Sequence, residues 1–258
     1  MKKQRLDASS LELADAIIAR DEQRKQILAQ FETALDKLKN KQDPLAHCVS
    51  RLENISRDAE IQMFYFGGFP RDLWLGQEPR DVDIVCNDIH EERFKEATRA
   101  NFIRQNRFGG MKLDFQGIEV DAWAIANTQP FIDEGNLLTC PHLLPEITFL
   151  PVESIVLEVY APNAERLYWE KGFFKACEEK VLELQNPRNT SPDLHLVRLA
   201  HLQKKLGWRI GDSLRRFVQY RLPRTTPARL AELHQSHYGT PINPKDLYSA
   251  IERLIKLK

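Results

Sequence analysis

Residues 64–85 read FYFGGFPRDLWLGQEPRDVDIV, and the fold is decided there. A short apolar run ends in a glycine pair, Gly67 and Gly68; beyond Phe69 to Arg80, the residues Asp81, Val82, Asp83 and Ile84 alternate acidic with apolar. Successive side chains of a strand point to opposite faces, so residues i and i+2 share one. Asp81 and Asp83 therefore point the same way on a strand whose other face is apolar. Two carboxylates so placed repel each other unless a cation lies between them, and Mg²⁺, which takes hard oxygen ligands, suits that place. The glycine pair supplies backbone without side chains, which can approach a polyphosphate closely, and a helix starting just after it offers free N–H groups to the anion. Arg71, three residues past Gly68, is close enough to reach the same phosphates. A phosphate cradle beside a metal-binding acid pair is the equipment for nucleotidyl transfer.

Such a site usually takes a third acid from a neighbouring strand. Two residues compete for the part. Asp121 sits mid-strand in Glu119-Val120-Asp121-Ala122-Trp123, with Val120 and Ala122 on the opposite face, whereas Asp114 lies next to the turn at Gln116-Gly117. A strand centre is held better than a turn flank, which favours Asp121. Taken alone, an Asp-x-Asp strand is unremarkable; the glycine pair, Arg71-Asp72 and the third strand acid give it chemical meaning.

The surrounding segments are short strands and helices. Ser9 with Glu12 fits a capping box for one long amphipathic helix over 9–40, a packing or oligomerisation element, and a second helix covers 45–59. Strands are expected at 62–66, 82–86 and 102–107, a helix from Asp88 with Glu91 as its cap to about Arg99, and a hairpin of 112–115 with 118–125. From about 151 the signals are helical. Ser191-Pro192, Thr226-Pro227 and Asn243-Pro244 each put a capping residue before a proline, giving helices near 192–206, 210–221, 227–237 and 244–257. Residues 127–150 are the least readable. The expected fold is α+β: an N-terminal helical segment (1–60), a head domain with a small mixed β-sheet (61–150) and a helical C-terminal domain (151–258).

Composition narrows the class. The 258 residues contain no apolar run near the ~20 a membrane span needs, and MKKQRLDASS lacks the apolar core of a signal peptide. A cytoplasmic protein with no membrane partner is expected. Cys48, Cys86, Cys140 and Cys177 are far apart with no C-x-x-C pair, the pattern of neither a zinc site nor a disulfide framework. Net charge is zero, yet residues 198–229 carry nine Lys/Arg against one acid, Asp212. That segregation makes Arg198, Lys204, Lys205, Arg209, Arg215 and Arg216 candidate RNA or phosphate contacts, set against the plainer reading of solvated helix faces. The four tryptophans read as core or domain-interface residues, and His195 with His201 as a polar helix surface.

GGFPRDLWLG followed by RDVDIV resembles the head-domain signature of the DNA polymerase β-like nucleotidyltransferase superfamily, in the branch of CCA-adding tRNA nucleotidyltransferases and bacterial poly(A) polymerases. Gly67, Gly68, Arg71, Asp72, Leu75, Gly76, Asp81 and Asp83 match that pattern position by position, and the superfamily's third acid maps onto Asp121. The likeness is specific over 64–86 and extends to about 126. It implies transfer of a nucleotide from an NTP such as ATP to a hydroxyl, with release of pyrophosphate. Asp81, Asp83 and Asp121 would hold two Mg²⁺ ions, or Mn²⁺ in their place, and Gly67, Gly68, Arg71 and Asp72 would bind the nucleotide. The acceptor it implies is an RNA 3′ end, as in tRNA. The branch's base-reading neck motif is altered: Ser191-Pro192 stand in place of its acid pair and His195 in place of its first arginine. Three readings follow: transfer to RNA, the same chemistry on a protein or small-molecule acceptor as in toxin and defence systems, and a nucleotide- or RNA-binding module without activity.

Overall fold

Period-2 alternation of apolar residues makes the strands of this protein, and apolar stripes at helical spacing make the helices that cover them. The computed structural model describes residues 8–106, 109–129, 139–161, 165–188 and 191–256, with side chains from residue 20 onward. Helices α1 (Ala8–Lys39) and α2 (Pro44–Asp58) lead into strand β1 (Met63–Phe66), the short helix α3 (Gly68–Trp74) and β2 (Val82–Cys86). Next come α4 (Glu91–Ala97), β3 (Phe102–Gln105), β4 (Met111–Phe115), β5 (Ile118–Ala124), β6 (Ile155–Glu158) and β7 (Tyr168–Glu170). The remainder is α5 (Phe173–Glu179), β8 (Val181–Leu182), α6 (Pro192–Leu206), β9 (Arg209–Ile210), α7 (Asp212–Arg221), α8 (Pro227–Tyr238) and α9 (Pro244–Leu254).

Seven strands form one mixed sheet in the order β3-β4-β5-β2-β1-β6-β7, in which β2 and β5 run parallel and the other neighbours antiparallel. The β4–β5 turn forms because Gln116 and Gly117 both adopt positive φ (57° and 91°), the backbone that suits a two-residue hairpin. Asp114 belongs to that turn: its Oδ1 accepts from the Gly117 N–H at 2.9 Å. The fold is α+β, as expected, but the sheet takes β6 and β7 from beyond residue 150, where only helices were anticipated. Ile155–Leu157 lie fully buried between β1 and β7, and so short an apolar run carries no period to reveal it.

One face of the sheet is packed by α1, α2 and α3. Ile27, Leu28, Phe31, Leu35 and Leu38 of α1 join Tyr65, Val82, Ile84, Leu113, Val120 and Leu157 in a single core. The first helix therefore packs on α2 and α3 and shares the core they make with the sheet; its Ser9–Glu12 cap and the apolar positions 11–18 have side chains outside the described residues, as do Arg107, residues 130–138 and the last two residues. A second core gathers α6 to α9 around Leu196, Leu199, Leu214, Val218, Leu230 and Ile251. Thr226 and Asn243 cap α8 and α9 as their sequence position predicts, accepting from Arg229 N and from Lys245 N and Asp246 N. Asp88 does not open α4. Its carboxylate accepts instead from Ala126 N at 2.7 Å, and Asn87 caps the preceding 3-10 turn.

Candidate active site

The parallel pairing of β2 with β5 sets Asp83 directly opposite Asp121, with Val82 opposite Val120. Neighbouring strands lie about 4.8 Å apart, so the two carboxylates project side by side from one face. Asp81, immediately before β2, shares that face. Further along it, Phe64, Val85, Ile125, Leu144 and Val156 make a small apolar cluster, and the acids stand where this cover gives way. Burial, then the charges of Asp81 and Asp121, push the Asp83 carboxyl up to about 8, against the opposing pull of Arg198. Asp81 is half-exposed and paired with Arg80, whose Nε donates to Oδ2 at 3.2 Å. Asp121, also half-exposed, accepts from Lys112 Nζ at 3.3 Å, and that lysine also donates to Glu119 at 2.9 Å.

Among the described residues no three potential ligands converge on one point as the side chains stand. The donor chemistry nevertheless fits a hard divalent cation: three carboxylates on one face, one of them held protonated to about 8 by burial and then by the like charge of the other two. Arg80 and Lys112 already bring positive charge to the other two.

The glycine turn lies alongside. Gly67 adopts φ 64° and ψ −107°, outside the range of side-chain-bearing residues, and its N–H donates to Ile155 O at 3.0 Å. Gly68 opens α3. Arg71 and Asp72 do not face the cleft in the way expected of nucleotide contacts; both are buried in an ion-pair chain. Arg71 donates to Asp72 at 2.9 Å and to Glu153 at 3.1 Å, Arg198 donates to Glu153 at 3.0 Å, and Lys205 donates to Asp72 at 2.6 Å. Burial alone would raise the Glu153 carboxyl, but Arg198 and Arg71 outweigh it and hold Glu153 below the ordinary carboxylate range. The chain of charges ties α3 to the turn at Pro151–Glu153 and to α6.

The acids open onto a cleft with two chambers that share Asn106 and Gly110. The smaller, about 320 Å³, is lined by Gly67, Gly68, Asp83, Trp123, Phe149 and Arg198. The larger, about 830 Å³, is lined by Arg80, Asp81, Arg104, Asp121, His201 and Tyr238 among others. His195 is not part of a polar surface: it is buried against the smaller chamber, stacked on Phe149 at 4.0 Å. Burial and then Arg198 lower it to about 4, with Glu153 opposing, so the ring is neutral at physiological pH. Trp123 borders the same chamber and donates from Nε1 to Thr128 Oγ1, while Trp74 and Trp208 pack in the cores as expected.

Glu153 and Tyr238 carry no sequence motif, because their partners are far along the chain; Arg80 stands inside RDVDIV, and only its contact with Tyr238 is distant. The six basic candidates divide. Lys205 is bound to Asp72, Arg198 to Glu153, and Arg215 to the Ile255 and Ile210 carbonyls; Lys204, Arg209 and Arg216 are exposed.

No protein-family model matches the sequence, and no curated protein does. Solved structures do match. The Thermotoga maritima CCA-adding enzyme complexed with tRNA superposes with a TM-score of 0.59 at 19% identity, over 85% of this chain and 53% of that one. A complex of CCA-adding enzyme with CTP gives 0.61 at 20% identity, over 85% and 54%. The chain has the fold of the CCA-adding enzymes. A tRNA-processing enzyme in its apo form gives 0.58 at 15% identity, over 82% and 57%. The chain spans about half the length of the CCA-adding enzymes it matches. Within the shared fold, no helix of the described residues is long and apolar enough to cross a membrane.

Proposed function

We propose that the protein is a magnesium-dependent nucleotidyltransferase, moving a nucleoside monophosphate from an NTP to the 3′ hydroxyl of an RNA. The observation that carries this reading is the parallel register of Asp83 with Asp121, beside the Gly67–Gly68 turn, in a fold shared with CCA-adding enzymes whose solved complexes hold ATP, CTP and tRNA. The smaller chamber suits the triphosphate, with backbone at Gly67 and Gly68 against phosphate oxygens and Arg198 offering positive charge. Magnesium held by Asp81, Asp83 and Asp121 would neutralise phosphate charge and acidify the attacking hydroxyl. The acceptor oxygen forms its bond to the α-phosphorus as the bond from that phosphorus to the bridging oxygen of pyrophosphate breaks. The hydroxyl proton passes to a carboxylate of the acid row, and pyrophosphate leaves. Arg71 and Asp72 act by holding α3 and the glycine turn in place.

The test is incubation with each α-³²P-labelled NTP, magnesium, and cellular RNA plus protein extract, resolved on a gel beside the Asp81→Ala/Asp83→Ala double variant. Label in an RNA band that vanishes with the variant is the expected result. Label confined to a protein band would transfer the acceptor to a side chain, and no label with any NTP would overturn the enzyme reading.

A further inference from the structure

Two arginines share the Glu153 carboxylate. Arg71 donates to it from Nη1 at 3.1 Å, and Arg198 donates from Nη2 to both of its oxygens, at 3.1 and 3.0 Å. Their circumstances differ. Arg71 is buried and also bonded to Asp72, and its Nη2 lies against the glycine turn, 3.5 Å from where a Cβ of Gly68 would stand. The Arg198 side chain is 40% exposed and borders the smaller chamber, whose wall holds no other lysine or arginine among the described residues. A guanidinium presents its N–H donors in a fixed fork. The described bonds of Arg198 engage Nη2 alone, which leaves Nε and Nη1 for another acceptor. Glu153 is therefore gripped from behind by a fixed arginine and grips a freer one in front.

Charge by itself gives Glu153 no reason to be there. The chamber wall already holds the acid Asp83, and a second carboxylate repels a polyanion further. Order supplies the reason. A long, exposed arginine loses rotamer freedom when it closes on a ligand, and a partner that holds it beforehand removes that cost from binding. The support reaches the glycines through the backbone as well, since Gly67 N–H donates to Ile155 O, two residues past Glu153.

We propose that Glu153 is a positioning residue: anchored by Arg71, it holds Arg198 by one end of its guanidinium, at a set distance from the glycine turn, so that the other end meets the phosphates of a nucleoside triphosphate. Glu153 touches no substrate in this arrangement and acts through Arg198. The inference rests on the proposed function for the placement of the triphosphate, and it is tested by binding, apart from transfer.

Fluorescence anisotropy of a fluorescent ATP analogue, with magnesium, is measured on the full chain, on Glu153→Gln, on Arg198→Gln and on the double variant. Thermal melts establish that each is folded. Glu153→Gln leaves Arg71 its bond to Asp72. It removes a negative charge from the wall of a chamber that receives a polyanion, so an effect of charge alone would tighten binding. Positioning predicts the opposite sign, a weakening of about fivefold. Arg198→Gln is expected to weaken binding at least as much, and adding Glu153→Gln to it is expected to weaken binding no further, because the side chain to be positioned is gone. Should Glu153→Gln not fold, Glu153→Asp takes its place: it keeps the charge, shortens the reach to the two arginines, and is expected to weaken binding too. Affinity unchanged or raised by the Glu153 variant, or a double variant in which the two losses multiply, overturns the proposal. A parent chain that binds no ATP analogue removes this inference together with the proposed function. The expected binding pattern without any transfer of label sustains the inference and removes only the transfer reading.

Discussion

Asp83 stands in the cleft where burial and like charge act on one carboxyl in the same direction. Its carboxyl, raised to about 8 by burial and then by Asp81 and Asp121, keeps a proton in the folded chain that the unfolded chain gives up near 3.8. The stability it contributes is therefore complete below about pH 4 and is lost as pH rises through about 8. Asp83→Asn is expected to raise the Tm at about pH 8.5 by about 3 °C, the equivalent of about 1 kcal/mol, and to abolish transfer. Thermal melts with and without magnesium check this: the cation should raise the parent's Tm and leave the variant's unmoved, and equal shifts in both would sink the assignment. The placement of Asp81, Asp83 and Asp121 along their strands was legible in the sequence because strand alternation is a local property of neighbouring residues. Arg71 was not. Its partner Glu153 lies 82 residues further on, and only the fold brings them to 3.1 Å.

At the scale of elements, the turn from β1 into α3 depends on one backbone conformation. A Cβ at Gly67 would come no nearer than 3.7 Å to Glu153 O, an ordinary contact, so crowding is not the constraint. The constraint is φ 64° with ψ −107°, which a side chain resists. Gly67→Ala is expected to cost about 2 kcal/mol and to raise KM for the NTP, as urea unfolding and initial-rate kinetics would show. Unchanged stability and KM would mean that the turn tolerates a different geometry. The proline-led starts of α6, α8 and α9 were readable for the same local reason as the acids, since each is written within a few residues, though only Thr226 and Asn243 cap with their side chains and Ser191 precedes α6 without a side-chain cap bond. Strands β6 and β7 were unreadable because they are short and because β6, on which β7 pairs, finds its own partner β1 some ninety residues earlier (Tyr65 against Leu157).

At the scale of the whole molecule, two ion pairs cross from the sheet side to the helical side: Asp72 with Lys205 and Glu153 with Arg198. Asp72 is buried and accepts from both Arg71 and Lys205, so removing Lys205 leaves its carboxylate with one cation in place of two. Lys205→Ala is expected to destabilise by about 2 kcal/mol, toward the low end for a buried pair because Lys205 is a third exposed. Urea unfolding measures it, and a double-mutant cycle with Asp72→Asn should show coupling between the two sites. Additive effects would mean the pair holds nothing together.

The pairing of β2 with β5 has a consequence for ancestry. The spacing of Asp83 from Asp121 is written in main-chain hydrogen bonds between parallel strands, which any sequence of the right polarity can make. Loops, helices and even the neck residues can diverge without disturbing it. A chain can thus exchange most of its side chains and keep the distance between its acids, and this one keeps the fold of the Thermotoga maritima enzyme at 19% identity.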